Sequence, residues 1–193
     1  MRSLIFAFLI VLAHACSNNP DPVDSSSFET SSIPGSNAKL AVKKNEGGRI
    51  LEHGILRNYQ KDGSWIVYHD DQSIKTISTY VNGKLNGLHV ELNSRGQMEF
   101  EAYYMNDEYH GLVARYNFGR PTQQLNYKNG ILDGPFTEYS NRGKLKKRGS
   151  FKNGKQHGTL EFYDDNEQLI MQYEYKDGEK ISGGIIEKEE STN

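Results

Sequence analysis

The sequence predicts an all-β protein: an elongated, twisted, single-layer antiparallel sheet of stacked β-hairpin repeats. Three observations point there. A unit of about two dozen residues recurs six times between Leu56 and Glu187. Most copies carry an Asn-Gly or Asp-Gly pair at one fixed place, the residues a tight hairpin turn demands. The runs between turns alternate apolar and polar with period two, and no helical period of useful length appears after Ile50.

In chain order, the first element is an export signal. Met1-Arg2-Ser3 is a positive start, and Leu4 to Ala13 is an apolar run. That run is shorter than the roughly 20 residues a bilayer span needs, so residues 1–15 are expected to be a signal peptide. Ala13-His14-Ala15 precedes Cys16, the chain's single cysteine. An unpaired thiol is unusual in an exported chain and can form no internal disulfide. The segment resembles a bacterial lipoprotein signal, which implies lipidation at Cys16 and attachment to a membrane. That family places Leu three residues before the cysteine, where this chain has Ala13. Ala-x-Ala also suits ordinary signal cleavage, which would release a secreted or periplasmic protein. Ser17 after the cysteine is compatible with sorting to the outer membrane of a Gram-negative host.

Residues 16–49 come next. From Ser17 to Ala38, Ser, Asn, Pro and Asp dominate, and Val23, Phe28 and Ile33 are the sizeable apolar groups. Such a composition does not offset the entropy of ordering, so the segment is expected to be a disordered tether spanning about 25 Å.

The array is expected over residues 50–187, as five full units and a partial sixth, with a charged tail at 188–193. Copies open at Leu56, Tyr80, Tyr104, Tyr127, Phe151 and Tyr175, at intervals of 24, 24, 23, 24 and 24 residues. The turn pairs are Asn82-Gly83, Asn129-Gly130, Asn153-Gly154 and Asp177-Gly178. A second glycine follows at Gly63, Gly87, Gly111, Gly134 and Gly158, read as a structural turn residue, with Ser182 at that place in the last copy. Five residues further on, Tyr68, Leu92, Tyr116, Tyr139 or Tyr163 closes the second strand. Ile50 to His53 is expected to begin the first edge strand, and Glu187 to Glu190 to blunt the last with charge.

The pattern Y-x-N-G-x-x-x-G-x-x-x-x-Y resembles the variant MORN repeat, a β-hairpin unit found in many bacterial proteins. Standard MORN units have a glycine two places before the aromatic, as Gly54 and Gly149 are here. They carry another glycine two places after the second one, where this chain has Trp65, His89, Val113, Phe136 and Leu160. The resemblance implies a binding module, and bacterial proteins of this type are often labelled antitoxin components.

Composition narrows the function further. A formal net charge of -2 disfavours nucleic acid and anionic lipid as general partners. No phosphate loop, dinucleotide fingerprint, zinc-ligand spacing or nucleophile elbow is present, so neither enzyme activity nor a cofactor or metal is expected. His110 and His157 read as turn residues, His89 as a packed or surface histidine, and Asp70-Asp71 and Asp164-Asp165 as solvated turns. Lys144, Lys146, Lys147 and Arg148 read as a solvated strand face. The stripe Trp65, His89, Val113, Phe136 and Leu160 is the candidate binding face for a protein partner, with Trp65 and Phe136 as anchors. The alternative, that this stripe is the packed side, stays open. The stripe of Tyr68, Tyr116, Tyr139 and Tyr163 is expected to be structural. A non-catalytic, envelope-anchored interaction module is thus the leading expectation. An immunity lipoprotein against a toxin, and a lipid-binding repeat protein, are the alternatives.

Overall fold

The computed structural model describes residue 20 and residues 22–186; the expected signal peptide, Cys16 and the charged tail lie outside them. The described chain forms one open antiparallel sheet of 16 strands, ordered almost as they occur in sequence. β1 (Glu29–Ser32) and β2 (Ala38–Lys44) come first, then β3 (Ile50–Arg57) and β4 (Gln60–Tyr68). β5 (Ile74–Val81), β6 (Lys84–Leu92), β7 (Met98–Met105) and β8 (Glu108–Asn117) continue the meander. β9 (Arg120–Lys128) pairs with both β10 (Ile131–Leu132) and β11 (Gly134–Tyr139). β12 (Leu145–Lys152) pairs likewise with β13 (Lys155–Gln156) and β14 (Gly158–Tyr163). β15 (Leu169–Lys176) and β16 (Glu179–Ile185) close the order.

Two kinds of turn alternate. At one long edge, two-residue turns have both central residues at positive φ: Asn82 at 49° with Gly83 at 79°, and Asn129 at 50° with Gly130 at 73°. This is the mirror-image geometry that matches the twist of the flanking strands. The turns also stack. The backbone N–H of Gly83, Asp107, Gly130, Gly154 and Gly178 each donates to a carbonyl of the preceding hairpin at 2.8–2.9 Å. At the other edge, five-residue connections begin at Asn45, His69, Asn93, Ser140 and Asp164, each closed by two backbone hydrogen bonds. The connection at Asn117 is one residue shorter, with Phe118 and Gly119 as a two-residue turn. That loss accounts for the single 23-residue interval.

The second glycine of each unit corrects the sequence reading. Gly63, Gly87, Gly111, Gly134 and Gly158 sit in strands, opposite Tyr80, Tyr104, Tyr127, Phe151 and Tyr175, and not in turns. On its other side each glycine lies in a bulge. Between Ser78↔His89 and Tyr80↔Leu85, for example, Thr79 alone faces Asn86, Gly87 and Leu88. The bulge sets the glycine at positive φ, 114° for Gly87 and 117° for Gly134, which explains the residue type. The polar residue before it accepts from the next turn: Asp133 Oδ2 takes the Asn153 N–H at 3.0 Å.

The segment expected to be a disordered tether is ordered from residue 22. Ser25–Ser27 form a 3-10 turn, and β1 and β2 add two strands ahead of β3. Ile50 to His53 therefore lie inside the sheet rather than at its edge. β1 and β2 continue the period: Pro34-Gly35 occupies the turn place, and Asn45 lies 24 residues before His69. Ser32 and Lys44, both polar, and the small Ala41 fill places held by larger apolar or aromatic groups in later copies, so composition hid the unit. The stretch before β1 straps the core. Val23 N–H donates to Tyr59 O at 2.8 Å, and Phe28 meets Trp65 edge-on with centroids 5.7 Å apart.

Candidate interaction surface

The two stripes read from the sequence lie on opposite faces of the sheet. On the first face, register places Ala41, Gly54, Trp65, Ser78, His89, Ala102 and Val113 in one row across successive strands. Large and small residues alternate along it. Gly149 does for Phe136 and Leu160 what Gly54 does for Trp65, leaving room for a side chain laid over the strand. The stripe offered as a binding face is thus the packed side. Trp65 is 1% exposed, Phe136 3%, and Val113 and Leu160 are also buried. A single-layer sheet achieves this by leaning side chains on neighbours, and at Trp65 by the Phe28 strap.

Polar groups on this face are matched. Trp65 Nε1 donates to Glu52 Oε2 at 2.8 Å, and the Lys61 ammonium sits 4.3 Å above the indole centroid. Burial lowers the Lys61 pKa, with Glu52 opposing it. His89 Nδ1 pairs with Ser78 Oγ at 2.8 Å while its ring packs on Phe100 and Tyr104. Removal from water pushes the Tyr80, Tyr104 and Tyr127 hydroxyls up from the ordinary tyrosine pKa.

Between β8 and β12 this face holds a hollow of about 290 Å³. Val113, Leu125 and Phe136 contribute to its floor, and Tyr109, Tyr127 and Phe151 line it from the turn side. Tyr109 and Tyr127 are 5.2 Å apart, and Phe136 and Phe151 are 5.0 Å apart, by ring centroids. Arg115, Glu138 and Lys147 line it as well, with Lys147 Nζ 5.3 Å from the Phe136 centroid. Aromatic surface beside both signs of charge suits a peptide better than a purely apolar ligand. The sequence reading named Val113 and Phe136 but missed Tyr109. That residue fills a place held by Lys61, Leu85, Leu132 and Gln156 in other units, so no repeat signal marks it.

On the second face, Tyr68 stacks on His53, and Tyr116 donates to Glu101 Oε2 at 2.8 Å. Tyr139 reaches Gln124, and Tyr163 reaches Glu161. Desolvation, reinforced by Glu101, pushes the Tyr116 hydroxyl up to about 12. The basic run is paired here and on the first face: Lys146 with Asp165, Arg148 with Glu161, and Lys147 with Glu138. His110 Nδ1 lies 3.0 Å from Asn129 Oδ1, and the Asp177 N–H approaches His157 Nδ1 at 3.4 Å, both at the stacked turns. Asp71 and Asp164 accept backbone N–H groups within their own turns. Among the described residues, no group of three or more His, Cys, Asp or Glu side chains could hold a metal ion. No described helix is long and apolar enough to cross a membrane.

No curated protein matches the chain in sequence. Repeats of the MORN type are generally modules of protein or membrane interaction and generally non-catalytic. Residues 132–153 and 156–177, two adjacent units that include β11 and β14, match the family described as MORN repeat variant.

Proposed function

We propose that this protein is a non-catalytic interaction scaffold of the cell envelope, anchored through Cys16, that holds an extended segment of a protein partner. The observation that carries the reading is the hollow on the first face, with Tyr109, Tyr127 and Phe151 beside Arg115, Glu138 and Lys147. Large aromatics dominate interface energies, and the neighbouring charges supply register and specificity. Trp65 is not an anchor in this reading, because Phe28 covers it. Phe136 is the floor rather than the contact.

A photo-reactive amino acid at position 127 tests the binding role, with position 159 on the opposite face as control. A discrete protein adduct from position 127 alone is expected. No adduct, or the same adduct from both positions, rejects the role. Labelled palmitate tests the anchor separately: incorporation is expected in the native chain and lost in Cys16→Ser. Neutralisation of a toxin is the specific form suggested by the variant-MORN resemblance, and an adduct that is a toxin decides for it.

A further inference from the structure

The second face is divided in a way that the repeat does not require. One row runs Val42, His53, Ile66, Ile77, Val90 and then Glu101, each residue directly opposite the next. Beyond Glu101 the same row reads Ala114, Gln124, Thr137, Arg148 and Glu161. Apart from His53, the N-terminal half is β-branched and aliphatic; the C-terminal half is mostly polar and carries the Arg148–Glu161 ion pair. Ile55 and Leu88 widen the apolar half on neighbouring places of the same face. The sheet is one layer and the Phe28 strap lies on the other face, so no described element covers this patch. The Ile66, Ile77 and Val90 side chains are half-buried only by one another and their neighbours. Within the patch, His53 Nδ1 is buried and has no hydrogen-bond partner among the described residues.

We infer that the N-terminal half of this face is the contact surface for a second copy of the chain, joined face to face about a two-fold axis near Ile66 and Ile77. Two observations choose that occupant. From Val42 to Val90 the row carries no carboxylate, lysine or arginine, so its partner must present a comparable apolar surface, and the chain itself presents one. The charged half begins at Glu101, so a partner must end there. Two-fold mating of identical patches meets that condition, because it sends the two polar halves in opposite directions. The size sets the strength. Five strands, β2 to β6, at ~4.8 Å spacing and three side-chain rows make a patch of roughly 450 Å² per copy, or ~900 Å² in the pair, the range of a weak, reversible contact. Two single layers stacked about 10 Å apart form the sandwich that neither builds alone. The inference is independent of the hollow on the first face.

Cross-linking of the full chain in cells tests it. Ile66→Cys treated with a short bismaleimide is expected to yield a covalent dimer. Thr159→Cys, on the polar half of the same face, is expected to yield at least tenfold less. Both variants keep Cys16, so equal dimer from both overturns the inference. Adding Ile77→Lys to Ile66→Cys should cut the dimer tenfold while the circular dichroism of the purified chain stays β-type. A dimer that survives this change overturns the inference, as does an Ile66→Cys adduct with a different protein. An Ile66→Cys chain that yields no dimer does so as well.

Discussion

The indole of Trp65 lies over Gly54 so closely that a Cβ on Gly54 would stand 2.1 Å from Trp65 Cε3. Gly54 does not have positive φ, so what it provides is space rather than backbone freedom. Gly54→Ala should therefore destabilise by overpacking, by about 2 kcal/mol or more. At Gly149 the nearest atoms are side-chain ends, Phe136 Cε1 at 2.8 Å, Gln156 Nε2 at 2.9 Å and Leu160 Cδ1 at 3.0 Å, and the last two can swing aside. Gly149→Ala should cost less, about 1 kcal/mol. Urea denaturation of the two variants checks the order; equal costs would contradict the alternation of large and small along the row.

The bulge glycines obey a different rule. Gly134 has φ 117°, and a Cβ there would meet Asn126 Cβ at 3.1 Å. Gly134→Val should cost at least ~1 kcal/mol through backbone strain. Gly143 also has positive φ, 81°, but Gln72 and Glu167 hold the equivalent place in two other units, at 70° and 60°. Gly143→Asn should then cost less than ~1 kcal/mol, since Asn tolerates that conformation. Thermal unfolding of the pair separates a bulge from an ordinary turn.

Phe28 tests whether the strap belongs to the fold. Phe28→Ala removes the edge contact on Trp65, the chain's single tryptophan. Because Phe28 is only half-buried, the expected loss is ~1–2 kcal/mol, below the usual range for a core phenylalanine. Trp65 fluorescence reports the change directly. Its emission should shift to the red as water reaches the indole; unchanged emission would mean the strap does not shield it.

The tyrosines make the fold sensitive to alkali. Tyr80, Tyr104, Tyr116, Tyr127 and Tyr163 all have hydroxyls raised above the ordinary value of 10.0, first by desolvation. Raised folded pKa values mean the native state holds protons that the unfolded chain has already lost. Stability is complete below pH 10 and falls as pH rises through the folded values, about 12 for Tyr116. Tyrosinate absorbance of the native protein should therefore lag behind that of the urea-unfolded chain. Tyr104→Phe should reduce the loss of stability between pH 10 and 12.

The repeat was legible because hairpin geometry writes itself into residue type. Asn82-Gly83 and Asn153-Gly154 name their turns, and Met98, Phe100, Ala102 and Tyr104 name one face of a strand. The first unit was not legible. Its hydrogen bonds are made by backbone, and Ser32, Ala41 and Lys44 pair as well as aromatics do. Gly87 was recognised as necessary but placed in a turn, because the sequence shows a need for positive φ without showing what surrounds it. The hollow was half legible: Phe136 sits on a recurring apolar place, whereas Tyr109 sits on a variable one.

The sequence by itself determined the period, the strand-turn-strand unit, and the division of side chains between two faces. These are local properties, set by backbone sterics at turns and by the two-residue alternation of a strand. Only the tertiary structure decided which face is covered. Trp65 and Tyr68 are three residues apart on one strand and must point to opposite sides; nothing local says which side closes. That was settled by Phe28, some forty residues from Trp65 in sequence and folded back over it, and by Gly54 and Gly149 making room for rings from neighbouring strands. Packing between distant segments depends on which surfaces meet in space, and a repeat of identical period is compatible with either side meeting.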